Sequence, residues 1–237
     1  MGFPGAFDKT DNGRQLTSKL WRDFNPAAIH AEPGRGWMSI DDFHTISDEN
    51  HVLTQGGSAG TATLSSTLAN GVLVIDAADS DDGDGANVQF FGLGATPAAG
   101  AIVAFECRMQ VSTLTDDFFV GMGGGSATAI LDTLPTDYAG FRVIDNGADW
   151  TYGQQDGDPD TEADVYTAEA ATYAKIGFRL NGLETTEIYV NGEEVANTLT
   201  VASIPNLVIW PILACESAGT NVPTLSADWM SVGYLAP

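Results

Sequence analysis

The sequence predicts an all-β protein: a two-sheet antiparallel sandwich preceded by an extended N-terminal arm. Three observations predict it. Residues 101–112, AIVAFECRMQVS, alternate apolar and polar side chains without a break. Asn-Gly occurs twice in GFRLNGLETTEIYVNGEEV (177–195), each time after a strand-like run. Elsewhere about a dozen short strand-like runs are separated by turn residues, and helical periodicity is almost absent.

Each element has a local reason. In 101–112, Val103, Phe105, Cys107, Met109 and Val111 share one face, while Ala104, Glu106, Arg108 and Gln110 share the other. Such alternation reads as a half-buried antiparallel strand. Residues 173–182 repeat it, with Ile176, Phe178 and Leu180 inward and Lys175 and Arg179 outward. Shorter strands are expected at 61–69, 71–78, 86–93, 117–122, 138–145, 149–153, 185–191, 207–215 and 224–234. Their separators, including NG, DGDG, TPAAG and GDPD, are turn-forming. Asn-Gly suits the positive φ angles of a type I′ hairpin turn. LVIWPILAC (207–215) is apolar on both faces, which fits a central strand or one meeting a partner. Pro211 argues for an edge or a bulge.

The first 36 residues differ from the rest. They carry Lys9, Arg14, Lys19, Arg22 and Arg35, five of the nine basic residues, against four acids. Prolines and glycines break the segment, yet Phe3, Phe7, Leu20, Trp21 and Phe24 make it too aromatic for a disordered tail. It reads as an extended arm, residues 1–36, in front of a domain at 37–237.

The formal charge of −23 excludes nonspecific binding to nucleic acid or anionic membranes, because phosphate contacts need cations. No stretch approaches the roughly 18 apolar residues of a membrane span, and no continuous apolar stretch marks a signal peptide at the N-terminus. Cys107 and Cys215 both sit in apolar runs and read as buried free thiols, consistent with folding in a reducing cytoplasm.

Several motifs together carry a resemblance. EIYVNGEEV, the apolar LVIWPILAC and the closing TLSADWMSVGYL (224–235) resemble the concanavalin A-like, laminin G-like jelly roll. With DDF (41–43), GVLVIDAA (71–78), DFFVGM (117–122) and YAGFRV (138–143), the chain is similar to tailed-phage virion proteins of that fold. The resemblance covers residues 37–237. It implies that opening and closing strands pair, bringing Asp42-Phe43 near Asp228-Trp229. It also implies a structural role as a capsid decoration or cement protein. Such a protein would be assembled in the host cytoplasm, seated on the virion surface, and partnered by the major capsid protein and copies of itself.

Catalytic constellations are missing. Glycosidases on this jelly roll set two carboxylates on one strand face, about 5–5.5 Å apart when retaining, and no Glu-x-Asp-x-Glu occurs. The one Gly-x-Ser-x-Gly string, GGSAG (56–60), leads into the strand-like run 61–69 and not into the helix that a nucleophile elbow needs, and His30, His44 and His51 make no zinc pattern. No enzyme activity, cofactor or metal is expected. DGDPDTEAD (156–164) begins like a calcium loop but has Thr161 and Thr167 where Gly and Glu are wanted, so it reads as a solvated loop. DSDDGDG (79–85) misses that spacing too. Partner binding is assigned to the arm, with Lys9, Arg14, Lys19 and Arg22 meeting carboxylates and Trp21 and Phe24 as apolar anchors. A carbohydrate-binding module of a tail fibre or adsorption apparatus is the alternative, with Trp150, Tyr152 and Tyr166 as sugar-stacking candidates.

Overall fold

The computed structural model describes residues 15–45, 51–57, 60–65, 71–124, 134–143, 148–157, 161–195, 199 and 201–237. A short helix α1 (Pro26–Ala31) comes first. The Asn25 side chain caps it, accepting from the Ala27 and Ala28 amides. The strands that follow are β1 (Gly36–Asp41), β2 (Val52–Gly56), β3 (Thr61–Leu64), β4 (Leu73–Asp76) and β5 (Gly85–Gln89). Next come β6 (Ile102–Val111), β7 (Asp117–Gly123), β8 (Asp137–Val143), β9 (Asp149–Asp156) and β10 (Thr161–Thr167). The last five are β11 (Ala174–Asn181), β12 (Thr185–Val190), β13 (Glu193–Val195), β14 (Trp210–Glu216) and β15 (Thr224–Leu235).

These strands form two antiparallel sheets packed face to face. The first runs β13-β12-β11-β6-β15-β4-β3, with β1 on the remaining length of β15. The second runs β10-β9-β8-β7-β14-β5-β2. The expected all-β jelly-roll sandwich is the fold. Opening and closing strands pair, with Ile40 opposite Ser231 and Asp41 opposite Met230. Between the sheets the inward residues meet: Phe178 of the first sheet packs against Phe141 and Tyr152 of the second.

The two Asn-Gly pairs turn differently. Asn191 and Gly192 both have positive φ and join β12 to β13 as a two-residue turn. Asn181 instead ends β11, pairing with Thr185, so that loop is Gly182–Glu184 with only Gly182 left-handed. β14 is central, between β7 and β5, so it is not an edge strand. Pro211 fits because pairing with β5 begins one residue later, at Ile212. β1, β2 and β10 lie outside the expected strands, and β10 takes part of the acidic run read as a loop.

One expectation about β6 is corrected. Its inner face is core, but Ala104 and Glu106 on the other face are also closed to solvent. The segment before α1 covers them.

Candidate functional site

Residues 15–24 lie as a strap across the outer face of the first sheet. Leu20, Trp21 and Phe24 are buried there with Ala104, Tyr189 and Leu235, and the Trp21 and Phe24 rings meet edge to face at 5.0 Å. The sheet is cut away to receive them. A Cβ on Gly233 would come within 2.4 Å of Phe24 and 2.8 Å of Trp21, and one on Gly177 within 2.7 Å of Leu20. A larger residue at either place would force these side chains to shift.

Polar side chains of the sheet hold the strap's backbone. Glu106, 1 % exposed, accepts from the Thr17 amide at 3.0 Å, the Thr17 hydroxyl and the Trp21 indole at 2.7 Å. Lys175 stands 3.7 Å from this carboxylate and donates to the Gln15 carbonyl at 2.6 Å. Buried Arg179 donates to the Leu20 carbonyl at 3.0 Å and also to Asp23 and Asn181. At the rim Arg22 makes a bidentate pair with Glu187 at 2.8 and 2.7 Å, and the Tyr189 hydroxyl adds a bond at 2.6 Å. The Arg22 hydrogen bonds hold the Glu187 carboxyl down at about 2. Burial pushes Glu106 up, against the donors that surround it. Burial, then Glu187, pushes the Tyr189 phenol up to about 12.

The residues expected to bind a partner therefore divide. Trp21 and Phe24 anchor on the chain's own sheet, and Arg22 pairs within the chain. Lys19 is exposed. Lys9 and Arg14 lie outside the described residues. Period-two patterning gave Glu106 and Arg179 an outward direction, and nothing local told that the arm would lie on them. The combination of aromatics with Gly177 and Gly233 on one sheet face was the available signal.

The middle of the second sheet's outer face is closed as well. Phe119, Tyr138, Ile212 and Ala214 form an apolar cluster there with Leu134 against it. This is where the apolar outer face of LVIWPILAC goes. Asn87 and Gln89, both buried, lie on the neighbouring strand, joined at 3.0 Å. The register does set Asp117 opposite Glu216, at the end of β7 and β14.

Two acidic runs differ from their expected form. Asp79, Asp81 and Asp84, from the run set aside on spacing, bring carboxylate oxygens within 4.8 Å of one another. The 156–164 run is not one loop. Asp156 belongs to β9, and Glu162 and Asp164 to β10, with Glu162 paired to Arg142. Trp150 and Tyr152 are in the core, so they offer no sugar platform, and Tyr166 is only partly exposed.

No protein-family model and no curated protein matches the chain. Solved structures do. A protein of unknown function from Shewanella oneidensis has a TM-score of 0.61 at 12% identity, over 90% of this chain and 95% of that one. An endo-1,3-beta-glucanase from Streptomyces sioyaensis scores 0.59 at 12% identity, over 86% and 98%. Peanut lectin scores 0.59 at 11% identity, over 84% and 97%. The likeness is one of fold. The chain has the concanavalin A-like jelly roll that lectins and glucanases share, and a shared fold carries no function with it.

Proposed function

We propose that the chain is a non-catalytic structural subunit of a tailed-phage virion, decorating or cementing the major capsid shell in several copies. The observation that carries the non-catalytic part is that the chain's own side chains cover the middle of the outer face of each sheet. The strap covers one, and Phe119, Tyr138, Ile212 and Ala214 close the other. A fold occupied in this way presents its rim and loops rather than a cleft. The resemblance of residues 37–237 to tailed-phage virion proteins supports the virion role. With Trp21, Phe24 and Arg22 engaged in the chain, attachment falls to Lys9, Arg14, Lys19 and the sandwich surface. The test is co-sedimentation of purified protein with shells of the phage that encodes it. Saturable pelleting supports the reading, and protein left in the supernatant at all ratios overturns it.

One observation favours carbohydrate binding as a second reading. Phe91, 40% exposed, rests edge to face on Trp210 at 5.4 Å. Beside this turn is a hollow of about 330 Å³ lined by Ser39, Asp41, Thr45, His51 and Phe90. An exposed ring beside hydroxyl, carboxylate and imidazole groups suits a sugar. Glycan-array binding that is lost in Phe91→Ala would favour this reading over the structural one.

A further inference from the structure

The start of β8 holds a carboxylate that its surroundings leave uncompensated. Asp137 is 6% exposed. Its Oδ2 accepts from the Thr136 hydroxyl at 3.2 Å, whereas its Oδ1, closed to solvent, has no hydrogen-bond partner. The β8–β9 register sets Asp156 directly opposite. Alternation turns both inward: Ala139 and Phe141 on β8, and Trp150 and Tyr152 on β9, share that face and lie in the core. Asp156 accepts from the Asn206 amide at 2.6 Å. Among the described residues no Lys or Arg forms an ion pair with either acid.

Directly opposed residues of an antiparallel pair have Cβ atoms about 4.5–5.5 Å apart, and like charges there repel. Burial makes the repulsion worse, because an ionised carboxylate out of water needs a partner charge. Folded proteins leave few buried polar atoms unsatisfied, and each asks for an explanation. The donors here are oxygens, with neither thiolate nor imidazole beside them, which suits a hard divalent ion rather than zinc.

We propose that Asp137 and Asp156 form a divalent-cation site at this end of the β8–β9 pair, taking Ca²⁺. Each carboxylate supplies an oxygen, and the ion supplies the charge that the paired strands lack. The site belongs to two adjacent strands rather than to a loop of the calcium-binding pattern, so motif spacing does not reveal it. It is independent of the virion role.

Melting temperature and calorimetric titration of the EDTA-treated full chain with CaCl₂ test the site. A rise of the melting temperature with Ca²⁺ is expected. At a free concentration near 100 times Kd the added stability corresponds to about 2.7 kcal/mol. Asp137→Asn is expected to raise the metal-free melting temperature, by removing the like-charge pair, and to abolish the response. Asp156→Asn, at a half-buried position, is expected to weaken Ca²⁺ binding at least tenfold, and it gives the same reading should Asp137→Asn fail to fold. Asp81→Asn, in the separate cluster of Asp79, Asp81 and Asp84, should leave the response intact. Absence of any response to millimolar Ca²⁺ would overturn the proposal. So would a response that survives Asp137→Asn and Asp156→Asn or disappears in Asp81→Asn.

Discussion

Trp21 and Glu106, 85 residues apart, meet through a 2.7 Å hydrogen bond from the indole N–H to a buried carboxylate. The bond ties the strap to the middle of the first sheet, at a position where an uncovered β6 would show its charge to water. It makes the N-terminal segment part of the folded unit and shapes the expectations below.

Trp21→Ala should act on stability before it acts on any partner. Removing a buried aromatic of this size costs about 3–5 kcal/mol, and here it also deletes one donor to Glu106. Urea unfolding monitored by circular dichroism should show the loss. An unchanged midpoint would mean that the ring contributes nothing to the fold.

Gly233→Val should expel the strap from a sheet that otherwise stays folded. The new side chain would occupy the space of the Phe24 and Trp21 rings. Overpacking of this kind costs about 1–3 kcal/mol, less than a whole sandwich is worth. Limited proteolysis should then cut after Lys19 or Arg22 in the variant and spare the parent. Equal protection in both would refute the eviction.

Acid should first tighten and then loosen the strap. Glu106 has its carboxyl raised by burial, so the folded state binds the extra proton, and its contribution grows as pH falls toward 4.5. Glu187 has its carboxyl lowered, so its contribution is complete above 4.5 and is lost as pH falls toward about 2. Trp21 fluorescence and melting temperature across pH 7 to 2 should pass through a maximum. Glu106→Gln should remove the rising limb and Arg22→Ala the falling one. A monotonic profile that neither substitution alters would contradict both assignments.

The purified protein should release no reducing sugar from β-glucans. The middle of the second sheet's outer face is filled by an apolar cluster, and its opposed acids, Asp117 and Glu216, sit at the sheet's end. Turnover abolished by Glu216→Gln would reverse the non-catalytic assignment.

Much of the sandwich was legible in the sequence because its signals are local. Alternation of Val103, Phe105 and Cys107 states which face of β6 is buried, since side chains of a strand reverse direction at each residue. Asn191-Gly192 states its turn because both residues accept positive φ. The short edge strands β2 and β10 were less legible. β2 is exposed at Val52 and Leu53, and in β10 a bulge between Asp164 and Tyr166 cuts short the alternation of Glu162 and Asp164 with Ala163 and Val165.

By itself the sequence determined the all-β class, the inner faces of β6 and β11, the second hairpin turn and the absence of a Glu-x-Asp-x-Glu pair. All of these depend on residues within a few positions of one another. Only the tertiary structure decided that the arm lies on Gly177 and Gly233, that Arg179 and Glu106 are interior groups, and that Asp137 faces Asp156. Those relationships join residues that are far apart along the chain, or on strands whose register is not written in either strand alone. A side chain's direction is set by the local backbone, but what it meets is set by which strands become neighbours.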